Sequence, residues 1–249
     1  MGSLDLKEFR SSLEKFKDMA ELPSENEIIK IADGAINALE NELPDYRPKA
    51  YKKTPGGLLD FSSLEQDVIL VPDLHARPDF LLKLLDSDIV EPNVLTAMSE
   101  DRCTVLCVGD CFHAETPGKC AERWKKAYRS WQAGEIDCPE MREEIHDCFA
   151  TELPLMMLKK EFPKNFHFLK GNHENILNEN DHGNYAFYKY ANEGQMVYDF
   201  LEKVYSQATI HVLNSFEKSL PIVGLFKTFA VSHAEPCMPY ERKEIIDYR

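Results

Sequence analysis

No apolar run in the 249-residue chain approaches the ~18 residues that a membrane-spanning helix needs, so no transmembrane segment is expected. A signal peptide is missing too: Met1 to Lys7 carries Asp5 and Lys7 where a leader needs a continuous apolar stretch. There is no basic surplus. Lys and Arg number 29 against 43 Asp and Glu, a formal net charge of −14, which argues against general nucleic-acid binding because that requires a basic footprint. Phosphorylated substrates stay open, since a bound metal can outweigh a distant acidic surface. Internal repeats and low-complexity tracts are absent. The seven cysteines are odd in number, and with no leader they imply reduced thiols in a cytoplasmic setting. Cys103, Cys107 and Cys111 are spaced by four. The first two fall in a strand-like run that separates them, and no second ligand pair follows, so the cluster does not read as structural zinc.

What is present suits a soluble globular chain: 43% hydrophobic and 29% charged residues, with length for one sizeable core or two small ones. Leu6, Phe9, Leu13, Phe16 and Met19 have helical spacing across residues 4–19. Ser24 with Glu27 forms a capping box for a second helix that ends before Pro44 and Pro48. Residues 4–45 are expected to pack on the main domain. Short apolar runs at 68–71 and 104–108, an alternating segment at 166–170 and a hairpin over 220–231 read as buried strands of a mixed α/β fold. Residues 115–162 read as a helical insertion, with Trp124, Tyr128 and Trp131 on one stripe and a second stripe from Met141 to Phe149 that breaks near Pro154. Its aromatics are read as packing, with a lid over the substrate entrance as the sharper alternative. A last helix carries Val197, Phe200, Leu201, Val204 and Tyr205.

Four short motifs follow the strand-like runs in order: Asp73-Leu74-His75, Gly109-Asp110, Gly171-Asn172-His173-Glu174 and Ser232-His233. Ligand sites of open α/β sheets gather at such strand ends. Phosphoester hydrolysis needs a strong nucleophile and neutralised phosphoryl charge, and two divalent cations roughly 3.5–4 Å apart supply both. Asp73 and His75 lie two apart and project to one side, so both can reach one ion. Asp110 can bridge, and Asn172 and His233 can complete a second ion. His173 can act as proton donor.

On these motifs the chain resembles the calcineurin-like metallophosphoesterase superfamily, and within it the phosphoprotein (serine/threonine) phosphatase family, over roughly residues 20–240 apart from the insertion. The family's signatures are Gly-Asp-x-His-Gly, Gly-Asp-x-x-Asp-Arg-Gly, Gly-Asn-His-Glu and His-Gly-Gly. The third matches completely, the first and second in part, and the last only at His233; Leu220-Pro221-Ile222 also matches a run that precedes the last motif. The resemblance implies a two-sheet β-sandwich flanked by helices in four αββα layers. It implies Asp73, His75, Asp110, Asn172 and His233 as ligands of two divalent transition-metal ions (Mn, Fe or Zn), His173 as general acid, and a phosphorylated substrate.

The departures are specific. Pro72 and Ala76 replace two glycines. His113 stands in place of an aspartate that orients the catalytic histidine, and Ala114 in place of a phosphate-binding arginine, whose charge Arg77 is a candidate to supply. Ala234-Glu235 replaces two glycines. A further histidine is expected well beyond His233, yet none follows before Arg249, and His182 is a poor substitute. The expectation is therefore one metallophosphoesterase domain over 1–249, incomplete at its C-terminus. It would act on phosphomonoesters, with a nucleotide or dinucleoside polyphosphate hydrolase and a degenerate, non-catalytic phosphatase-like binding protein as alternatives.

Overall fold

The computed structural model describes residues 4–51, 53–116, 118–181 and 183–248. Two N-terminal helices come first. In α1 (Leu6–Glu14) the Asp5 side chain caps the first turn by accepting from the Lys7 and Glu8 N–H groups. In α2 (Glu25–Glu40) Ser24 does the same for Glu27. Strands β1 (Leu58–Phe61) and β2 (Asp67–Val71) lead to helices α3 (Pro78–Asp86) and α4 (Val94–Ser99), then to β3 (Cys103–Cys107). Helices α5 (Lys119–Gln132) and α6 (Pro139–Glu161) precede β4 (Phe166–Phe168). Helices α7 (Glu193–Val204) and α8 (Gln207–Ser219) precede the hairpin of β5 (Val223–Phe226) and β6 (Ala230–Ser232), and α9 (Arg242–Asp247) closes the described chain.

The fold is mixed α/β, built on two three-stranded sheets. One runs β2-β3-β4 and is parallel throughout; the other runs β1-β5-β6, with β1 parallel to β5 and β6 antiparallel to it. The sheets meet face to face through Leu59, Phe61, Leu106, Leu169 and Phe226. The approach is close: a Cβ on Gly224 would lie 2.9 Å from Leu106 Cδ2. Alternation along β3 sends Cys103, Val105 and Cys107 to the opposite face, where they join Phe166 and Phe168 under Ile28, Ala32, Phe149, Leu153 and Phe216. On the outer side of the second sheet only the short α9 is in evidence among the described residues, near the start of β1, where Gly57 N–H donates to the Ile246 carbonyl at 3.1 Å. Val223 and Leu225 of β5 are correspondingly half-buried between the buried Gly224 and Phe226, and β6 is half-buried to exposed. None of the described helices is long and apolar enough to cross a membrane.

One expectation is corrected. The helical stripe that the sequence breaks near Pro154 runs unbroken through it as the 23-residue α6. A proline inside a helix removes one backbone hydrogen bond and crowds the preceding turn. Here Cys148 to Met156 are all buried, so burial on every side outweighs that loss. α6 thus forms part of the core against α2, and α5 lies over it. Trp124 of α5 is buried and donates its indole N–H to the Ala114 carbonyl at 3.0 Å, which anchors the segment after the second motif.

Candidate metal centre

The three motifs of the first sheet leave the carboxyl ends of β2, β3 and β4, and the fourth leaves β6 beside them. The backbone ties them together. The Asp110 carbonyl accepts from the N–H groups of Leu74 (3.1 Å) and His75 (2.7 Å), and the Cys111 carbonyl from Ala76 (2.8 Å). The buried Glu174 carboxylate accepts from the N–H groups of Asp110 (2.9 Å), Cys111 (2.8 Å) and Gly171 (2.6 Å). One glutamate of the third motif therefore clamps the second motif onto its own. The glycines are required by the same closeness. A Cβ on Gly171 would lie 2.2 Å from Asp110 Oδ1, and one on Gly109, whose φ is +123°, would lie 2.7 Å from Gly171 N. His75, Ala76, Asp110 and His113 all adopt positive φ, between 43° and 64°. Such conformations cost free energy in non-glycine residues and cluster at functional sites.

Within this frame Asp110 is the hub. Its Oδ1 accepts from the His173 backbone N–H at 3.0 Å. Its Oδ2 faces the Nε2 atoms of His75 (3.9 Å), His173 (3.7 Å) and His233 (3.4 Å). One donor atom each from His75, Asp110 and His173 lie within 4.8 Å of one another. Asp73 Oδ2 is 3.8 Å from His75 Nε2, and Asp73 Oδ1 is 3.6 Å from His233 Nδ1. Asn172 Oδ1 is 2.8 Å from His233 Nε2. His233 Nδ1 lies 3.2 Å from the Val108 carbonyl, where it donates and so turns the Nε2 lone pair toward Asp110. The five residues named as ligands from sequence thus converge on one spot.

The electrostatics are those of crowded donors in a dry place. Burial, with Glu174, Asp73 and Glu115 adding to it, pushes the Asp110 carboxyl up to about 8. Burial draws His113 down to about 3 and His173 down to about 2, with neighbouring imidazoles acting the same way. The donor set of carboxylates, imidazoles and one amide oxygen fits a divalent transition metal, and a cation is the charge that relieves such a cluster.

The other expected residues are placed as follows. His113 Nδ1 is 3.1 Å from His173 Nδ1, which also faces the Phe112 carbonyl at 3.1 Å; His113 Nε2 is buried with no hydrogen-bond partner among the described residues. The Arg77 guanidinium donates to the Leu74 carbonyl at 2.8 Å and to the Asp73 carbonyl, and lies over the Phe80 ring, so it braces the loop of the first motif. His182 lies outside the described residues.

Three residues that the sequence reading did not single out stand in the site. Glu115 brings Oε2 to 3.6 Å from His75 Nε2 and Oε1 to 3.6 Å from His173 Nε2. Lys189 pairs with Glu115. The Phe187 ring packs on His173 with centroids 3.9 Å apart. Glu115 lies five residues after Asp110 with no motif to mark it, and the other two come from a loop far along the chain.

No protein-family profile matches the chain, and no curated protein matches it. Among solved structures it is similar to a protein serine/threonine phosphatase from Saccharomyces cerevisiae described as similar to human phosphatase PP5, at 18% sequence identity and a TM-score of 0.48. That match covers 88% of this chain and 51% of the other, so the chain spans about half the length of the protein it matches.

Proposed function

We propose that the chain is a metal-dependent phosphoester hydrolase acting on phosphomonoesters. The observation that carries this reading is the arrangement around Asp110 Oδ2, which lies 3.9 Å from His75 Nε2 and 3.4 Å from His233 Nε2, each with a further oxygen donor nearby. In this reading Asp73, His75 and Asp110 would hold one cation, and Asp110, Asn172 and His233 would hold a second. When bound, two such cations provide a nucleophile of hydroxide strength at neutral pH and neutralise charge on the phosphoryl oxygens.

The chain's own residues do the rest. Glu174 and the Asp110 carbonyl hold the motif loops in register. The Phe187 ring packs on His173 and covers it. His173 is the proton donor to the leaving oxygen. Burial lowers its pKa and the negative charge of an arriving phosphate raises it, so the proton it passes on is taken up from solvent as substrate binds. His113, in contact with His173 Nδ1, orients that ring, and Arg77 holds the first motif.

A second reading, a phosphate-binding protein without turnover, is favoured by one observation: Phe187 covers His173, which is 3% exposed. Steady-state assays with Mn²⁺ separate these readings. Hydrolysis of p-nitrophenyl phosphate faster than bis-p-nitrophenyl phosphate supports the monoesterase. Preference for dinucleoside polyphosphates supports a nucleotide hydrolase, and binding of a phosphopeptide with no turnover of any substrate supports the non-catalytic reading.

A further inference from the structure

One carboxylate beside the motifs has the surroundings of a bound anion. Glu115 Oε1 is 3.6 Å from His173 Nε2, Glu115 Oε2 is 3.6 Å from His75 Nε2, and the same Oε2 pairs with Lys189 Nζ. A single oxygen atom therefore separates the lysine ammonium from the imidazole of the first motif. Two imidazoles and an ammonium around one carboxylate are partners that suit a phosphoryl oxygen as well. The Glu115 side chain is 15% exposed and that of Lys189 45%, so the lysine is the solvent-side member of the pair. The other basic side chains near the motifs are engaged elsewhere. The Arg77 guanidinium is taken by the Leu74 and Asp73 carbonyls, and Lys170 Nζ donates to Asn184 Oδ1 at 2.9 Å.

The backbone that carries Lys189 is fixed without this pair. The buried Glu193 carboxylate accepts from the N–H groups of Lys189 (2.8 Å), Tyr190 (2.5 Å) and Ala191 (3.0 Å), and the Phe187 carbonyl accepts from the Gly194 N–H at 3.0 Å. The loop is thus held by a carboxylate of its own, which leaves the Lys189 side chain able to change partner. A half-exposed ion pair is worth little, and a phosphate dianion carries more charge than a carboxylate. We propose that Lys189 binds the phosphoryl group of the substrate, and that Glu115 is the internal counter-ion it leaves to do so. This rests on the phosphoester reading above and names a substrate-binding residue within it.

A merely structural ion pair loses the same thing whichever partner is removed, whereas a rival and a binder act in opposite directions. Orthophosphate binding to the Mn²⁺-treated chain is measured by calorimetry, alongside KM and kcat for p-nitrophenyl phosphate, for the unmodified protein, K189Q, K189R, E115Q and the double variant E115Q/K189Q. Circular dichroism checks that each remains folded. K189Q should weaken orthophosphate binding by about tenfold or more and raise KM more than it lowers kcat, and K189R should keep most of the affinity. E115Q should tighten orthophosphate binding by about two- to fivefold, and most of that gain should vanish in the double variant. Unchanged orthophosphate affinity in K189Q overturns the proposal. So does E115Q weakening binding as K189Q does, which makes the pair a loop anchor, or a full E115Q gain in the double variant. An unmodified chain that binds no orthophosphate overturns it as well. The hydrolase reading fails separately: calorimetric differences of the expected sign with no turnover by the unmodified chain leave Lys189 a phosphate ligand of a non-catalytic binding protein.

Discussion

The site has a buried half and an open half, a division distinct from the two proposed cation positions, and they are built on unequal ground. Asp110 and His173 leave β3 and β4, whose residues are buried throughout, and both side chains are themselves nearly inaccessible. Asp73 and His233 leave β2 and β6, which are partly open, and the Asp73 side chain is 44% exposed. The buried half is fixed by backbone donors to Glu174 and Asp110, so its geometry is set before any ligand arrives. The open half is held by fewer hydrogen bonds. Ligand identity and ligand rigidity are thus separate properties here, and substitutions in the two halves should fail in different ways.

The largest effect is expected at the shared residue. Asp110→Asn should bring hydrolysis to background while leaving the fold intact, since the neutral amide keeps an oxygen for the His173 N–H and relieves a carboxylate that burial already disfavours. Turnover and far-UV circular dichroism check the two parts. Next comes His173→Asn, which should cost ~10²–10⁴-fold on poor leaving groups such as phosphoserine and far less on p-nitrophenyl phosphate. Equal losses on both substrates would remove His173 from the donor role.

A paired experiment then tests the two halves directly. Glu174→Ala strands three buried N–H donors, each worth about 1–3 kcal/mol when unsatisfied, and should lower Tm by at least about 6 °C at the usual 2–4 °C per kcal/mol for a chain of this size. His233→Ala should leave Tm nearly unchanged and weaken metal binding by at least about 10–100-fold. Equal thermal losses in the two variants would erase the distinction drawn here. The smallest effect is on pH. Burial raises Glu144 to about 7 and Glu217 to about 8 from 4.5. The folded chain therefore holds these protons longer than the unfolded one. The stability they contribute is complete below pH 4.5 and is lost as pH rises to 7–8. Chelator-treated protein should melt higher at pH 5.5 than at pH 8.5, and Glu217→Gln should narrow that gap.

The parts of this molecule that the sequence disclosed are those with local signals. The strand runs before Asp73, Asp110, Gly171 and His233, the Ser24 cap and the hairpin before the last motif all appear as expected, because apolar runs and caps are short-range patterns. Helix α8 did not register, although Ile210, Leu213 and Phe216 are buried in it, because polar residues dilute its stripe. β1 was lost among turn residues, and α6 was cut at Pro154 because core burial has no local signature. In the site, the five ligand candidates were legible as motif members. Glu115, Lys189 and Phe187 were not, since their places depend on the turn after the second motif and on a loop crossing from residue 178 onward. The clamp by Glu174 lay inside a motif, but its role depends on three N–H groups from two different loops.

The central claim is that phosphoester hydrolysis here depends on divalent cations gathered by Asp110. The direct measurement is p-nitrophenyl phosphate turnover by chelator-stripped protein titrated with Mn²⁺, with metal content per chain determined by elemental analysis at each point. Activity should be absent from stripped protein and should rise as occupancy approaches about two ions per chain, with neither change in Asp110→Asn. Turnover that persists after stripping, or a chain that takes up no metal, would contradict the account.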